Sequence, residues 1–317
     1  MIYDCLIIGG GPAGLAVALN LARLLHTAAV FDSQVYRNDG AALIHNVLGF
    51  DHLDARAFRS KAKSDIAKYN TIDFKDVCIT TARKLKSGLF EVKDDRGQVY
   101  TGRKLVLCIG VRDVMFDIPG FDECWAKGIY NCLFCHAFES RGAASVGVIA
   151  MGPCTDPAMA LHVGRMALQF GKKLTLYTNG RDDIAQDILA HVASDKDIEV
   201  DLRQISQLRM TSADKSAVTV TFSDDTERTE GFFVSSNTVE INGCFVQQLG
   251  LELCPSGEIR TRPPLLETSV PGVFAAGDCA TTLRAIPQAA AHGALVAVAI
   301  AHQLQAEKRA RSNGEEI

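Results

Sequence analysis

No apolar run in this chain reaches the roughly 18 residues that a membrane-spanning helix needs. The nearest, 285–304, is interrupted by Gln288, His292, Gly293 and His302, so no membrane partner is expected. Positive charge is not in excess either. The formal net charge is −4, from 33 Lys and Arg against 37 Asp and Glu, whereas a nucleic-acid partner held by its phosphates favours a basic face; none is expected. Repeats and low-complexity tracts are missing. The first residues, Met1-Ile2-Tyr3-Asp4, lack the basic-then-apolar pattern of a secretory leader, so a cytoplasmic location is expected. The ten cysteines do not form the framework of a small secreted domain. Most lie in apolar strings, such as Cys5 in Asp4-Cys5-Leu6-Ile7-Ile8 and Cys108 in Leu107-Cys108-Ile109, and read as buried small hydrophobes.

What is present begins with length. A chain of 317 residues, 47% hydrophobic and 22% charged, holds two domains or one large one with a full core. Its polar end, 307–317, reads as a frayed terminus. The most informative short feature is Asn131-Cys132-Leu133-Phe134-Cys135-His136. A C-x-x-C pair can cycle between dithiol and disulfide, C-x-x-C-H can attach a c-type haem, and C-x-x-C can be half of a zinc site. Haem attachment would need an oxidising compartment. A zinc site would need a second pair at ligand spacing, and the chain has none, so no metal is expected.

The organisation is that of an α/β protein. An apolar strand over 4–10 runs into Gly9-Gly10-Gly11-Pro12-Ala13-Gly14, a helix follows over 15–26, and a second strand, 28–32, ends in Asp32. Strand, G-x-G-x-x-G, helix, strand and acid in this order form a dinucleotide fingerprint. Its glycines permit a tight turn and close approach to a pyrophosphate, the helix start offers N–H donors, and Asp32 is placed to accept from a ribose hydroxyl. A helix over 54–69 and a hairpin over 88–101 follow. A strand over 104–110 ends in Gly110. Beyond a linker at 117–120 a second unit of the same kind begins, with strands at 145–150 and 172–178 around a helix at 157–170, and further strands at 198–202, 217–222 and 231–235. The segment Val273-Phe274-Ala275-Ala276-Gly277-Asp278 is a strand ending in Gly-Asp, and a helix follows at about 284–304. The expected fold is therefore two Rossmann-like, doubly wound domains, the first split into 1–116 and 240–317 around an inserted 117–239.

The order of fingerprint, C-x-x-C in an inserted domain, and T-x-x-P-G-V-F-A-x-G-D over 268–278 resembles the low-molecular-weight thioredoxin reductases over nearly the whole chain. The resemblance implies FAD at the first fingerprint, held by Gly9, Gly11, Pro12, Ala13, Gly14 and Asp32. Gly110, Gly277 and Asp278 would also belong to its site, with Asp278 on the ribityl chain and Gln288 and Ala289 near the ring. His45 and Asn46 would approach the flavin, or else shape a turn before Gly49. Cys132 and Cys135 would be the redox disulfide lying against the flavin, and a homodimer is implied. His136 stands where those reductases carry an aspartate. A histidine near its usual pKa of about 6.5 can shuttle a proton at pH 7. Glu139 could orient it or be a solvated acid; His292 reads as a packing histidine, and Cys154, Cys244 and Cys279 as structural.

The second nucleotide loop departs from the family. Ala150-Met151-Gly152-Pro153-Cys154-Thr155-Asp156-Pro157 keeps a single glycine, loses two N–H donors to proline, and places an acid beside any phosphate. The next strand ends Tyr177-Thr178-Asn179-Gly180-Arg181-Asp182-Asp183, one arginine among acids. With this loss, and with His45-Asn46-Val47-Leu48-Gly49, 124–130, Cys132-Leu133-Phe134-Cys135 and Tyr177-Thr178-Asn179-Gly180, the chain is similar to the fungal dithiol oxidases of epidithiodiketopiperazine pathways. That resemblance implies a small-molecule dithiol as substrate and O2 as acceptor through FAD. Cys132 would take the substrate thiolate and Cys135 would be the flavin-side thiol. The alternative is an NADPH-dependent disulfide reductase with an unusual loop.

Overall fold

The computed structural model describes residues 1–192, 195–211 and 216–313. They form two compact units, one of Met1–Asp39, Val47–Arg112 and Glu240–Ile317, the other of Gly40–Asn46 and Asp113–Val239.

The first unit is built on Ile2–Ile8, whose alternating side chains are buried on both faces, as a strand covered on two sides requires. Cys5 and Ile7 join the core with Leu15, Leu21, Val296 and Ile300. Tyr3, Leu6 and Ile8 join the opposite one with Phe31, Phe90 and Leu105. Ile72–Lys75, Ala28–Phe31, Ile2–Ile8 and Val99–Leu107 run parallel in that order. Val99–Leu107 is long enough to take two further partners in succession. Its first half pairs antiparallel with Phe90–Asp94, Val99 opposite Lys93, and its second half pairs parallel with Val273–Ala275, Leu105 opposite Val273. Ile79–Lys84 completes the antiparallel arm. The helices Pro12–Arg23 and Ile286–Ser312 pack against each other. The helix expected to end near 304 thus continues to Ser312, and the reading of 307–317 as frayed is corrected over its first six residues. Alanine, lysine, arginine and glutamate there favour helix, and Glu307 pairs with the buried Lys104 at 2.5 Å. Residues 314–317 lie outside the described ones.

The second unit repeats the plan. Five parallel strands stand in the order Ile198–Asp201, Leu174–Tyr177, Val146–Ile149, Phe233–Val234 and Ile129–Tyr130. Ile205–Met210, Val218–Phe222 and Glu227–Glu230 form a separate antiparallel meander. Helices Pro157–Ala167 and Asp182–Val192 carry the core residues Leu161 and Ile188. Gly147 is required by packing, because a Cβ there would lie 2.4 Å from the Phe233 ring. The chain is an α/β protein of two Rossmann-like units, as the strand and helix alternation implied. Sequence reasoning did not find Ile72–Lys75, Ile79–Lys84, Ile205–Met210, Glu227–Glu230 or the helix Asp182–Val192. The four strands are short and half-exposed, so charged residues dilute their apolar alternation. No helix among the described residues is long and apolar enough to cross a membrane.

Gly293 sets how closely the last helix approaches the first. A Cβ there would stand 2.4 Å from the Ala13 carbonyl oxygen and 2.7 Å from Ala16 Cβ. Gly293→Ala should destabilise the fold by about 1–3 kcal/mol through overpacking. Urea unfolding measures it, and an unchanged midpoint would mean that the two helices separate at no cost.

Candidate active site

In the first unit the fingerprint glycines are placed by hard contacts. Gly9 has φ +115°, and a Cβ on it would lie 2.1 Å from the Cys108 carbonyl oxygen; one on Gly14 would lie 1.9 Å from the Gly9 oxygen. Gly11 differs, since nothing lies within 4 Å of its Cβ position. It is the N-cap of Pro12–Arg23, where no side chain caps the helix. Gly10, which the motif does not name, is packed by Asp32, whose Cγ would be 2.2 Å from a Cβ.

Asp32 is 1% exposed. Its carboxylate accepts from the Gln34 backbone N–H (3.0 Å), the Tyr36 hydroxyl (2.6 Å) and Lys63 Nζ (2.8 Å). Burial, then the Asp32 carboxylate, push the Tyr36 phenol up, so it stays a donor. The Gly277 turn, at φ +79°, brings three expected residues together: its Cβ position is 3.0 Å from Ala13 Cβ and 3.6 Å from Ala289 Cβ. Ala13 and Ala289 are themselves buried in this packing. Asp278 pairs with Arg37 at 3.2 Å. Gly110 has φ +63° beyond the end of Val99–Leu107, next to Ile109, whose carbonyl accepts from Asn242. Gln288 Nε2 is 2.7 Å from His292 Nε2. With that amide donating, His292 Nδ1 carries the proton, and it is buried without a partner among the described residues. An uncapped helix start, open space at Gly11 and an unsatisfied buried donor fit a bound dinucleotide.

In the second unit Cys132 and Cys135 form a disulfide, Cα to Cα 5.3 Å. Cys132 precedes a single helical turn, Leu133–His136. Residues 40–46 belong to this unit and hold the turn. The Asn46 side-chain amide, on a residue at φ +63°, donates to the Phe134 carbonyl (3.0 Å) and lies 3.9 Å from Cys135 Sγ. His45 Nε2 is 3.8 Å from Glu139 Oε1. His45 and Asn46, considered above for the flavin, are thus placed at the C-x-x-C turn, and Glu139 meets His45. His136 lies against the Tyr130 ring, centroids 5.3 Å apart. The Tyr130 hydroxyl bonds to the Lys127 carbonyl (3.1 Å) and sits 3.2 Å from Ser140 Oγ, which donates to Ser216 (2.8 Å). Burial lowers the His136 pKa, His45 adds to this, and Glu139 opposes it.

The second nucleotide loop closes on itself. Asp156 is the N-cap of Pro157–Ala167, and its Oδ1 accepts from the N–H groups of Ala158 (2.7 Å) and Met159 (3.1 Å). Arg181 is paired with Asp183 (2.6 Å) and Arg203 with Asp201 (2.5 Å). Of the cysteines read as structural, Cys154 and Cys279 are buried, and burial pushes the Cys279 thiol up to about 12. Cys244 is exposed, which corrects that reading. It stands at the start of the short helix Phe245–Leu249, where its neighbour Phe245 takes the buried position.

The family model for pyridine nucleotide-disulphide oxidoreductases matches residues 3–293, and the chain belongs to this family. Within it the chain is thioredoxin reductase-like. It is 42% identical over 98% of its length, and 99% of the relative's, to "Thioredoxin reductase aclD" of Aspergillus oryzae. It is 40% identical to "Thioredoxin reductase tcpT" of Claviceps purpurea, over 96% of this chain and 95% of that one. Among solved structures, HlmI superimposes with TM-score 0.87 at 25% identity, over 98% of this chain and 95% of its own. An oxidoreductase from Agrobacterium tumefaciens does so with TM-score 0.83 at 28% identity, over 96% and 99%.

Sequence reasoning did not find Tyr36, Arg37, Lys63 or Tyr130: Arg37 and Lys63 act through partners 241 and 31 residues away, Tyr130 through ring packing, and Tyr36 through a hydroxyl that reaches back four residues to Asp32, none of which a motif records. With its pKa lowered, the His136 ring is neutral at pH 7 and able to accept a proton. It becomes charged as pH falls below its usual value of about 6.5 and through the lowered one. Disulfide-exchange turnover should therefore decline on the acid side. His136→Asn should slow it about 10²-fold or more and remove that limb. A variant profile with the limb intact would assign the proton acceptor elsewhere.

Proposed function

We propose that the protein is an FAD-dependent dithiol oxidase. It closes a small-molecule dithiol, of epidithiodiketopiperazine type, to its disulfide, with O2 as acceptor and H2O2 as product, and it works as a cytoplasmic homodimer. The observation that carries this reading is the contrast between two helix starts. The start of Pro12–Arg23 has no side-chain cap and faces open space at Gly11. The start of Pro157–Ala167 already has the Asp156 carboxylate on its Ala158 and Met159 donors. A dinucleotide pyrophosphate needs such donors, and at the second site it would have to displace a bound carboxylate of its own charge sign. One dinucleotide site and one redox pair suit a chain whose electrons come from a thiol substrate.

A substrate thiolate attacks Cys132 and breaks the Cys132–Cys135 bond. The substrate's second thiol then displaces Cys132, so the substrate leaves as a disulfide and the enzyme pair holds two electrons and two protons. Asn46 offers an N–H toward Cys135 Sγ, which favours the thiolate. His136, kept neutral by burial, accepts the proton. Gly9–Gly14, Asp32, Asp278 and Gln288 are the residues that would hold FAD, and the chemistry it would supply there is that of a two-electron acceptor between the reduced cysteine pair and O2. The names of the fungal relatives favour a second reading, an NADPH-dependent disulfide reductase.

The two readings part in one experiment. The oxidised holoenzyme is mixed anaerobically with NADPH or with dithiothreitol while flavin absorbance is followed. Bleaching by the dithiol alone, with peroxide formed on admitting air, is expected. Rapid bleaching by NADPH would establish the reductase. Asp156→Ala should cost about 0.5–2 kcal/mol of stability as a lost cap, measured by urea unfolding.

A further inference from the structure

Leu133 and Phe134, the residues between the two cysteines, line a groove of about 650 Å³ that lies wholly within the second unit. The volume is that of a small-molecule site. Its better-buried lining is apolar, with Leu161 and Phe170. Its exposed lining carries His162, Arg165 and His191. Among the described residues no aspartate or glutamate lines it, although the chain as a whole has a net charge of −4. Helical spacing explains part of this: His162 and Arg165 are three apart on Pro157–Ala167 and so are neighbours on one face. Arg165 makes no ion pair among the described residues. A guanidinium beside an apolar trough matches a molecule with an apolar body and a carboxylate, which Arg165 can bind through two parallel N–H donors.

We propose that this groove holds the body of the dithiol substrate and that the body bears a carboxylate recognised by Arg165. The inference rests on the dithiol oxidase reading and adds to it a substrate class, anionic and apolar, and a specificity-determining residue. Leu133 and Phe134 are the chain neighbours of Cys132 and Cys135, consecutive Cα atoms being about 3.8 Å apart, so the groove adjoins the turn that carries the disulfide although neither cysteine lines it.

Two probes differ only at the group in question. Lipoate and lipoamide share a dithiolane and an apolar chain, and end in a carboxylate or a neutral amide. Calorimetric titration of the oxidised holoenzyme should show lipoate binding at least 10-fold more tightly. The reduced pair should show the same preference in KM, at equal kcat. Arg165→Gln should bring both preferences to within about 2-fold and leave turnover of dithiothreitol, which has no such body, unchanged. Ala158→Trp, at an exposed lining position, should block both probes while sparing dithiothreitol. Equal binding of lipoate and lipoamide, no binding of either, or a preference that survives Arg165→Gln would overturn the proposal. A preference in binding that Arg165→Gln removes, with no peroxide from any dithiol, would uphold the groove and sink the oxidase reading alone.

Discussion

The start of an α-helix leaves backbone N–H groups that the helix cannot satisfy, and something must bond to them. Each unit of this chain places such a start after a buried strand of its parallel sheet, Ile2–Ile8 in one and Val146–Ile149 in the other, and the two are finished differently. In the first, a glycine cap and a proline at the first position leave the donors to a ligand. In the second, a side-chain carboxylate takes them. Repeated architecture thus yields one open helix start and one closed by its own side chain, and the direction of electron flow in the proposed reaction follows from that difference.

The redox pair depends on a second constraint. A single helical turn is too short to hold its own geometry against solvent. Here it is held from outside, by the Asn46 amide on the Phe134 carbonyl and by Tyr130 against His136. Tyr130 is in turn bonded through Ser140 and Ser216 to the backbone at Gly231. Burial at this place also lowers the His136 pKa. The same packing that positions the histidine therefore sets its protonation state.

Much of the architecture was legible because it is written in local pattern. Alternation in Ile2–Ile8, glycines at a strand-to-helix turn, and an acid closing the next strand are short-range signals with direct steric or hydrogen-bonding causes. The exposed strands and the acidic helix Asp182–Val192 were not legible, since burial of one residue in two or three does not rise above a polar background. The site was legible in its types and less so in its partners. Cys132, Cys135 and His136 are read from adjacency. That Asn46 sits on the C-x-x-C turn, or that Asp32 bonds Lys63, requires chain segments 88 and 31 residues apart to meet.

By itself the sequence determined the fold class, the family, the dinucleotide fingerprint and the redox pair, because each rests on spacing within a few residues or on order along the chain. Only the tertiary structure decided that the Asp156 side chain turns back onto its own helix, that residues 40–46 join the unit of the disulfide, and that a basic, apolar groove opens beside Leu133 and Phe134. Those outcomes depend on where a side chain points and what packs behind it. No rule of spacing carries that information, since it is settled by close packing among residues remote in the chain.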